Sequence, residues 1–215
     1  MKITSHEFNF QGPAGNIQAT LDLPEHISQH RYFSVNCHPH SQHGGSMTNK
    51  VIHTVSRGIA SLGIPSIRFN FRSVGNSEGE FDHGIGEQAD LKAVVAWMEN
   101  RYDDCKLLLS GFSFGSYVSA LAADSLSPTL LISVAPPIKR FDFEGFQRPH
   151  MDWSVIMGDQ DELVEFDAVT DWIGGFDEPP EFINMAGAGH FFHGRLVELR
   201  EHIERIVTTH LDAIG

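Results

Sequence analysis

The stretch Lys106-Leu107-Leu108-Leu109-Ser110-Gly111-Phe112-Ser113-Phe114-Gly115-Ser116-Tyr117-Val118-Ser119-Ala120-Leu121-Ala122-Ala123 changes its grammar in the middle. Before Gly111 it is a short apolar run of the kind that forms a buried strand. After Ser113 it is rich in small residues and reads as a helix. Between them lies Gly111-Phe112-Ser113-Phe114-Gly115, a Gly-x-Ser-x-Gly pattern on a strand-to-helix turn. Glycines on both sides let the strand and helix backbones pass closely while the serine takes a strained, positive-φ conformation. The serine hydroxyl is then exposed at a helix N-terminus, where unpaired N–H groups favour developing negative charge.

The same alternation extends outward in both directions. Upstream, Arg31–Cys37 reads as a strand, Asn49–Leu62 as a helix stopped by Gly63, Ser66–Phe71 as a strand, and Glu87–Arg101 as a helix. Downstream, the stretches Thr129–Ala135, Trp153–Met157 and Glu181–Met185 read as strands. Phe166–Ile173 and the long Arg195–Ile214 read as helices. Only the first segments differ. His6–Gln11 and Asn16–Leu23 alternate apolar and polar residues across Gly12-Pro13-Ala14-Gly15, which is hairpin chemistry. Strands alternating with helices imply parallel pairing with helices on both faces. The expected fold class is therefore α/β: a three-layer α/β/α sandwich around a mostly parallel, doubly wound sheet, with an antiparallel N-terminal hairpin at the edge. No linker or repeat divides the 215 residues, so a single domain, residues 1–215, is expected.

Composition narrows the function classes. Fifteen Lys and Arg against 28 Asp and Glu give a net charge of −13, which repels phosphate backbones and anionic lipid. Nucleic-acid and membrane partners are not expected. Cys37 and Cys105 are the only cysteines and form no CxxC pair, which excludes a disulfide scaffold and a cysteine-rich zinc site. The N-terminal MKITSHEFNF has no apolar core of a signal peptide, so the cytoplasm is the expected compartment.

In doubly wound sheets, ligands bind beyond the carboxyl ends of the strands. Two serines fit Gly-x-Ser-x-Gly: Ser113, and Ser77 in Gly75-Asn76-Ser77-Glu78-Gly79. Only Ser113 has a strand directly before it and a helix directly after, so Ser77 reads as a loop serine. A serine nucleophile needs a base, usually histidine, and a carboxylate to orient that base. Gly158-Asp159-Gln160-Asp161-Glu162 follows one strand, and Ala186-Gly187-Ala188-Gly189-His190 follows the last. The expected catalytic set is Ser113, Asp161 and His190. Asp159 reads as a turn residue bonding its own loop, and His193 as a solvent-facing residue near the start of the last helix.

Together these features resemble the α/β-hydrolase superfamily over nearly the whole chain. More closely, they resemble a small, lidless bacterial branch related to serine aminopeptidase-like and dienelactone-hydrolase-like proteins. Two further segments carry the likeness, Cys37-His38-Pro39-His40-Ser41-Gln42-His43-Gly44-Gly45-Ser46-Met47-Thr48-Asn49-Lys50 and Phe69-Asn70-Phe71-Arg72-Ser73-Val74-Gly75-Asn76-Ser77-Glu78-Gly79. Ser41 and Ser73 depart from the branch's Pro and Gly. The resemblance implies a serine hydrolase acting on a small-molecule acyl substrate, an ester or thioester. The alternatives are amide or peptide cleavage, and a non-catalytic binding protein. It implies oxyanion donors at the backbone N–H of Phe114 and of His40, since Pro39 has none.

No cofactor and no metal are expected. His38, His40 and His43 have no nearby carboxylate and match no ligand spacing. Asn49 is expected to cap the first helix, and Arg72 and Glu87 to tie the Arg72–Gly79 loop to the next one. The interval Ile138–Asp152 has 15 residues, too few for a helical cap. A shallow site is therefore expected, with an acyl pocket near Phe191 or the Ile138–Phe146 segment.

Overall fold

The structure is a computed structural model and describes residues 1–143 and 150–214. The central strand that carries the elbow, β5 (Lys106–Phe112), is buried from Leu107 onward. Leu107 and Leu109 face one core while Leu108 faces the other, as the two-residue period of a strand requires. A strand that is apolar on both faces must be covered on both.

β3 (Tyr32–Cys37) and β4 (Ser66–Phe69) lie on one side of β5, and β6 (Leu130–Val134), β7 (Asp152–Gly158) and β8 (Glu181–Met185) on the other. The hairpin of β1 (Ile3–Gly12) and β2 (Gly15–Pro24) completes an eight-stranded sheet in the order β1-β2-β4-β3-β5-β6-β7-β8. β1 pairs antiparallel with β2 and β2 antiparallel with β4; the remaining pairs are parallel. Helices α1 (Lys50–Ser61) and α5 (Leu196–Ile214) pack on one face through Val55, Ile59, Leu199 and Ile203. On the other face α2 (Ile85–Arg101), α3 (Phe114–Leu126) and α4 (Phe166–Gly174) pack through Leu91, Val94, Val118 and Val169. This is the three-layer α/β/α arrangement with an antiparallel edge hairpin expected from the alternation.

One local expectation changes. β4 ends at Phe69, so Asn70 and Phe71 already belong to the loop. Arg72 ties the loop to α2 as expected, through Asp90: its Nη2 and Nε donate to the two carboxylate oxygens at 2.9 and 3.0 Å. Glu87 accepts from the Asp82 and Gly84 N–H groups, which ties the same loop to the N-terminus of α2. Asn49 does cap α1, accepting from Val51 N–H at 2.9 Å.

The chain reverses its winding at β3 and β5. The connection after β3 leads to α1 on one face, and the connection after β5 leads to α3 on the other. Their diverging carboxyl ends open a crevice, and this crevice holds the elbow.

Candidate active site

Ser113 sits at φ 53° and ψ −119°, immediately before α3. A non-glycine residue there costs on the order of 1–3 kcal/mol, and the surroundings must hold it in place. Val134 C=O does so by accepting the Ser113 N–H at 2.8 Å. Gly111 and Gly115 make room. A Cβ on Gly111 would collide with the backbone of Gly115, and a Cβ on Gly115 would collide with the Cys37 and His38 carbonyls. The first turn of α3 can therefore lie directly on the end of β3. Phe114 opens α3, and the N–H groups of a first helical turn have no intrahelical acceptor.

β7 and β8 end level, with Gly158 opposite Met185. The two loops that follow run side by side and are bonded along their length. Gly187 N–H donates to Asp159 Oδ1 at 2.7 Å, and Gln160 N–H to Ala188 C=O at 3.0 Å. The His190 N–H donates to Glu162 Oε2 at 3.0 Å. His190 Nδ1 meets Asp161 Oδ2 at 2.8 Å, and both side chains are buried. The other Asp161 oxygen accepts the N–H groups of Leu163 and Val164 at 2.8 and 2.7 Å. The carboxylate is thus fixed by backbone donors on one side and faces the imidazole with the other.

The loop after β3 forms the opposite wall. His38 is completely buried. Phe71 N–H donates to its Nε2 at 3.0 Å, so Nδ1 carries the proton and donates to Pro39 C=O at 2.5 Å. Burial pushes its pKa down to about 4, which keeps the ring neutral. Both ring nitrogens are thereby committed to holding the loop. Arg68 Nη1 donates to Met47 C=O and Met47 N–H donates to Asn70 Oδ1, pinning the far end. His40 stacks on Phe81 and packs against Phe114 and Phe141. Burial lowers its pKa, helped by the charges of His43 and His83. Among the described residues no group of three or more His, Cys, Asp or Glu side chains is placed to hold a metal ion.

Ser113 and His190 line one cleft of about 700 Å³, together with Pro39, His40, Phe141, Leu163, Val164 and Phe191. Asp161 stands behind His190.

With an elbow serine, a histidine and a buried carboxylate gathered in this fold, the comparisons with known proteins become specific. The family described as X-Pro dipeptidyl-peptidase (S15 family) matches residues 18–145. The chain belongs to that family. A lidless α/β serine hydrolase from Xanthomonas campestris is 44% identical, with a TM-score of 0.91 over 97% of this chain and 96% of that one. An α/β serine hydrolase homologue from Coxiella burnetii is 42% identical, with a TM-score of 0.90 over 95% and 98% of the two chains. An uncharacterised protein of Rickettsia prowazekii is 28% identical over 211 residues, 93% of this chain and 87% of that protein. The chain is a serine hydrolase of the α/β fold.

In this S15-family hydrolase the second Gly-x-Ser-x-Gly does something else. Ser77 is buried, donates to Asn70 C=O at 2.7 Å and accepts from Gln18 N–H at 2.9 Å. Its hydroxyl ties a loop to β2 and does not line the cleft. Asp159 departs from its expected role: its carboxylate reaches across to Gly187 rather than bonding only within its own loop, and that bond lowers its pKa. His193 is exposed, as expected. Phe191 and Phe141 of the expected acyl pocket line the cleft, while Phe146 lies outside the described residues. Reading the sequence missed Glu162. The run Asp159-Gln160-Asp161-Glu162 was its only trace, and nothing in that run says that Glu162 turns onto the His190 N–H. No helix among the described residues is long and apolar enough to cross a membrane.

Proposed function

We propose that this hydrolase cleaves small esters or thioesters by acyl transfer. Ser113 Oγ attacks the carbonyl while His190 takes its proton, and the oxyanion is held by the N–H groups of Phe114 and His40. The imidazolium then protonates the departing alkoxide or thiolate. Water, deprotonated by the same histidine, hydrolyses the acyl-serine and returns the enzyme to its starting state. Asp161 orients the ring and stabilises its charged form. The observation that carries the reading is the 2.8 Å contact between His190 Nδ1 and Asp161 Oδ2, which turns the other ring nitrogen away from the carboxylate.

The S15 match also raises dipeptide release from a peptide N-terminus. Recognition of a free α-ammonium calls for an anionic anchor. Among the described residues that line the cleft none is a carboxylate, and the one permanent charge is Arg140. That favours a neutral or anionic acyl substrate.

Labelling with a fluorophosphonate tests the mechanism, because it requires an activated serine. Labelling at Ser113 together with turnover of short acyl esters is the expected result. Absence of labelling in folded protein overturns catalysis and leaves a binding protein. Turnover confined to X-Pro amides replaces the ester reading with the peptidase one.

A further inference from the structure

We infer that Glu162 is a positioning residue for the base: it fixes the main chain of His190 while Asp161 fixes its ring. The inference rests on the assignment of His190 as general base. Orienting an imidazole takes two constraints. A bond to Nδ1 sets the ring's tautomer and tilt, but the side chain still swings with its own backbone. The Glu162 carboxylate removes that freedom by accepting the His190 N–H at 3.0 Å, from a loop 28 residues away in sequence.

Three further observations fit this role. Glu162 is an exposed residue whose carboxylate is nonetheless turned inward onto a backbone N–H. Gly189 is the residue that permits the approach, since a Cβ there would lie 2.7 Å from Glu162 Oε2. The two carboxylates are consecutive, so backbone donors Leu163 and Val164, which anchor Asp161, also limit where Glu162 can move. A charge-assisted bond to a backbone N–H is stronger than a neutral one. Glu162 is not itself among the residues that line the cleft, so its effect passes through His190.

The test is Glu162→Ala. A misplacement of the base on the order of 1 Å costs up to about 100-fold in rate. We expect kcat and the rate of fluorophosphonate labelling to fall about 10- to 100-fold, with KM within about twofold of the parent. The downfield proton signal of the His190–Asp161 bond should weaken, and the thermal midpoint should match that of the surface control Glu201→Ala. Glu162→Gln keeps an acceptor oxygen and should recover most of the rate. Gly189→Ala pushes the carboxylate away by another route. It should lose a similar factor, and adding it to Glu162→Ala should cost little more.

If Ser113 labels in the parent and Glu162→Ala labels at the parental rate, Glu162 has no positioning role and the acyl-transfer reading stands. A comparable fall in Glu162→Gln also overturns the role, because the acceptor oxygen is then not what matters. If the parent does not label at all, the base assignment fails and this inference fails with it.

Discussion

Gly115 faces the Cys37 carbonyl at a separation that excludes even a Cβ atom. The obstruction is backbone on both sides, so it cannot be relieved by a rotamer change. Gly115→Ala should therefore force α3 away from β3, destabilise the fold by about 1–3 kcal/mol, and slow Ser113 labelling as the elbow shifts. Gly174, at the end of α4, has open space where a Cβ would stand, with nothing within 4 Å. Gly174→Ala should be neutral or slightly stabilising. Urea unfolding of the two variants separates them, and equal midpoints would contradict the packing argument.

The two Gly-x-Ser-x-Gly serines should give opposite phenotypes. Ser113→Ala should abolish fluorophosphonate labelling and leave stability nearly unchanged, because alanine keeps the Cβ and the positive-φ backbone and removes only the hydroxyl. Ser77→Ala should keep labelling and lose about 1–3 kcal/mol, because Gln18 N–H and Asn70 C=O lose their shared partner. Mass spectrometry of the labelled peptide and denaturant titration check both halves. A label on Ser77 would refute the elbow assignment.

His190 and His193 are three residues apart and differ completely in setting. His190→Ala should lose roughly 1000-fold or more in kcat/KM, as removal of a base does elsewhere. His193 is exposed and outside the Asp161 contact, so His193→Ala should stay within about threefold of the parent. Similar losses in two folded variants would leave the base unassigned.

Acid should weaken the fold through His38. Its folded pKa, about 4, lies below the value near 6.5 of an exposed histidine. The unfolded chain therefore binds the extra proton first as pH falls. Stability is fully present above pH ~6.5, declines between there and pH ~4, and then stops changing on this account. The separation of the two values corresponds to roughly 3 kcal/mol. His38→Gln should be less stable than the parent at pH 7.5, and its stability should fall less between pH 7 and 4.5. A parallel fall in both proteins, measured by urea midpoints across that range, would count against His38 as the titrating group.

Arg140 is the charged side chain among the described cleft residues, on a chain whose net charge is −13. Long-range repulsion disfavours anionic substrates, and a guanidinium in the cleft lining compensates locally. Arg140→Ala should raise KM about 3- to 10-fold for esters that carry a carboxylate and leave neutral esters nearly unchanged; charge-assisted bonds to exposed groups are worth this order. Salt should narrow the difference. An equal rise for both substrate types would mean that Arg140 contributes shape rather than charge.

What could be read along the chain was whatever depends on neighbours in sequence. The two-residue period of Leu107–Leu109, the small residues after Ser113 and the hairpin chemistry around Pro13-Ala14 determine local conformation. Local conformation repeated along the chain determines an α/β sheet. The elbow is equally local, because its two glycines and its serine lie within one short turn. That Ser113, Asp161 and His190 stand at strand ends was legible because each closes a strand-and-loop unit.

The rest depends on register and burial. That Asp159 reaches the Gly187 N–H and Glu162 the His190 N–H depends on β7 and β8 ending level, a property of two strands far apart in sequence. The Arg72 partner is Asp90 because one turn of α2 brings that carboxylate to the loop, while Glu87 lies at the helix start and is taken by Gly84 N–H. His38 is a loop clamp rather than a ligand because folding buries both of its nitrogens against Phe71 and Pro39. Sequence spacing encodes the geometry of single elements. Hydrogen bonds between loops follow from how those elements are laid side by side, and only the assembled sheet decides that.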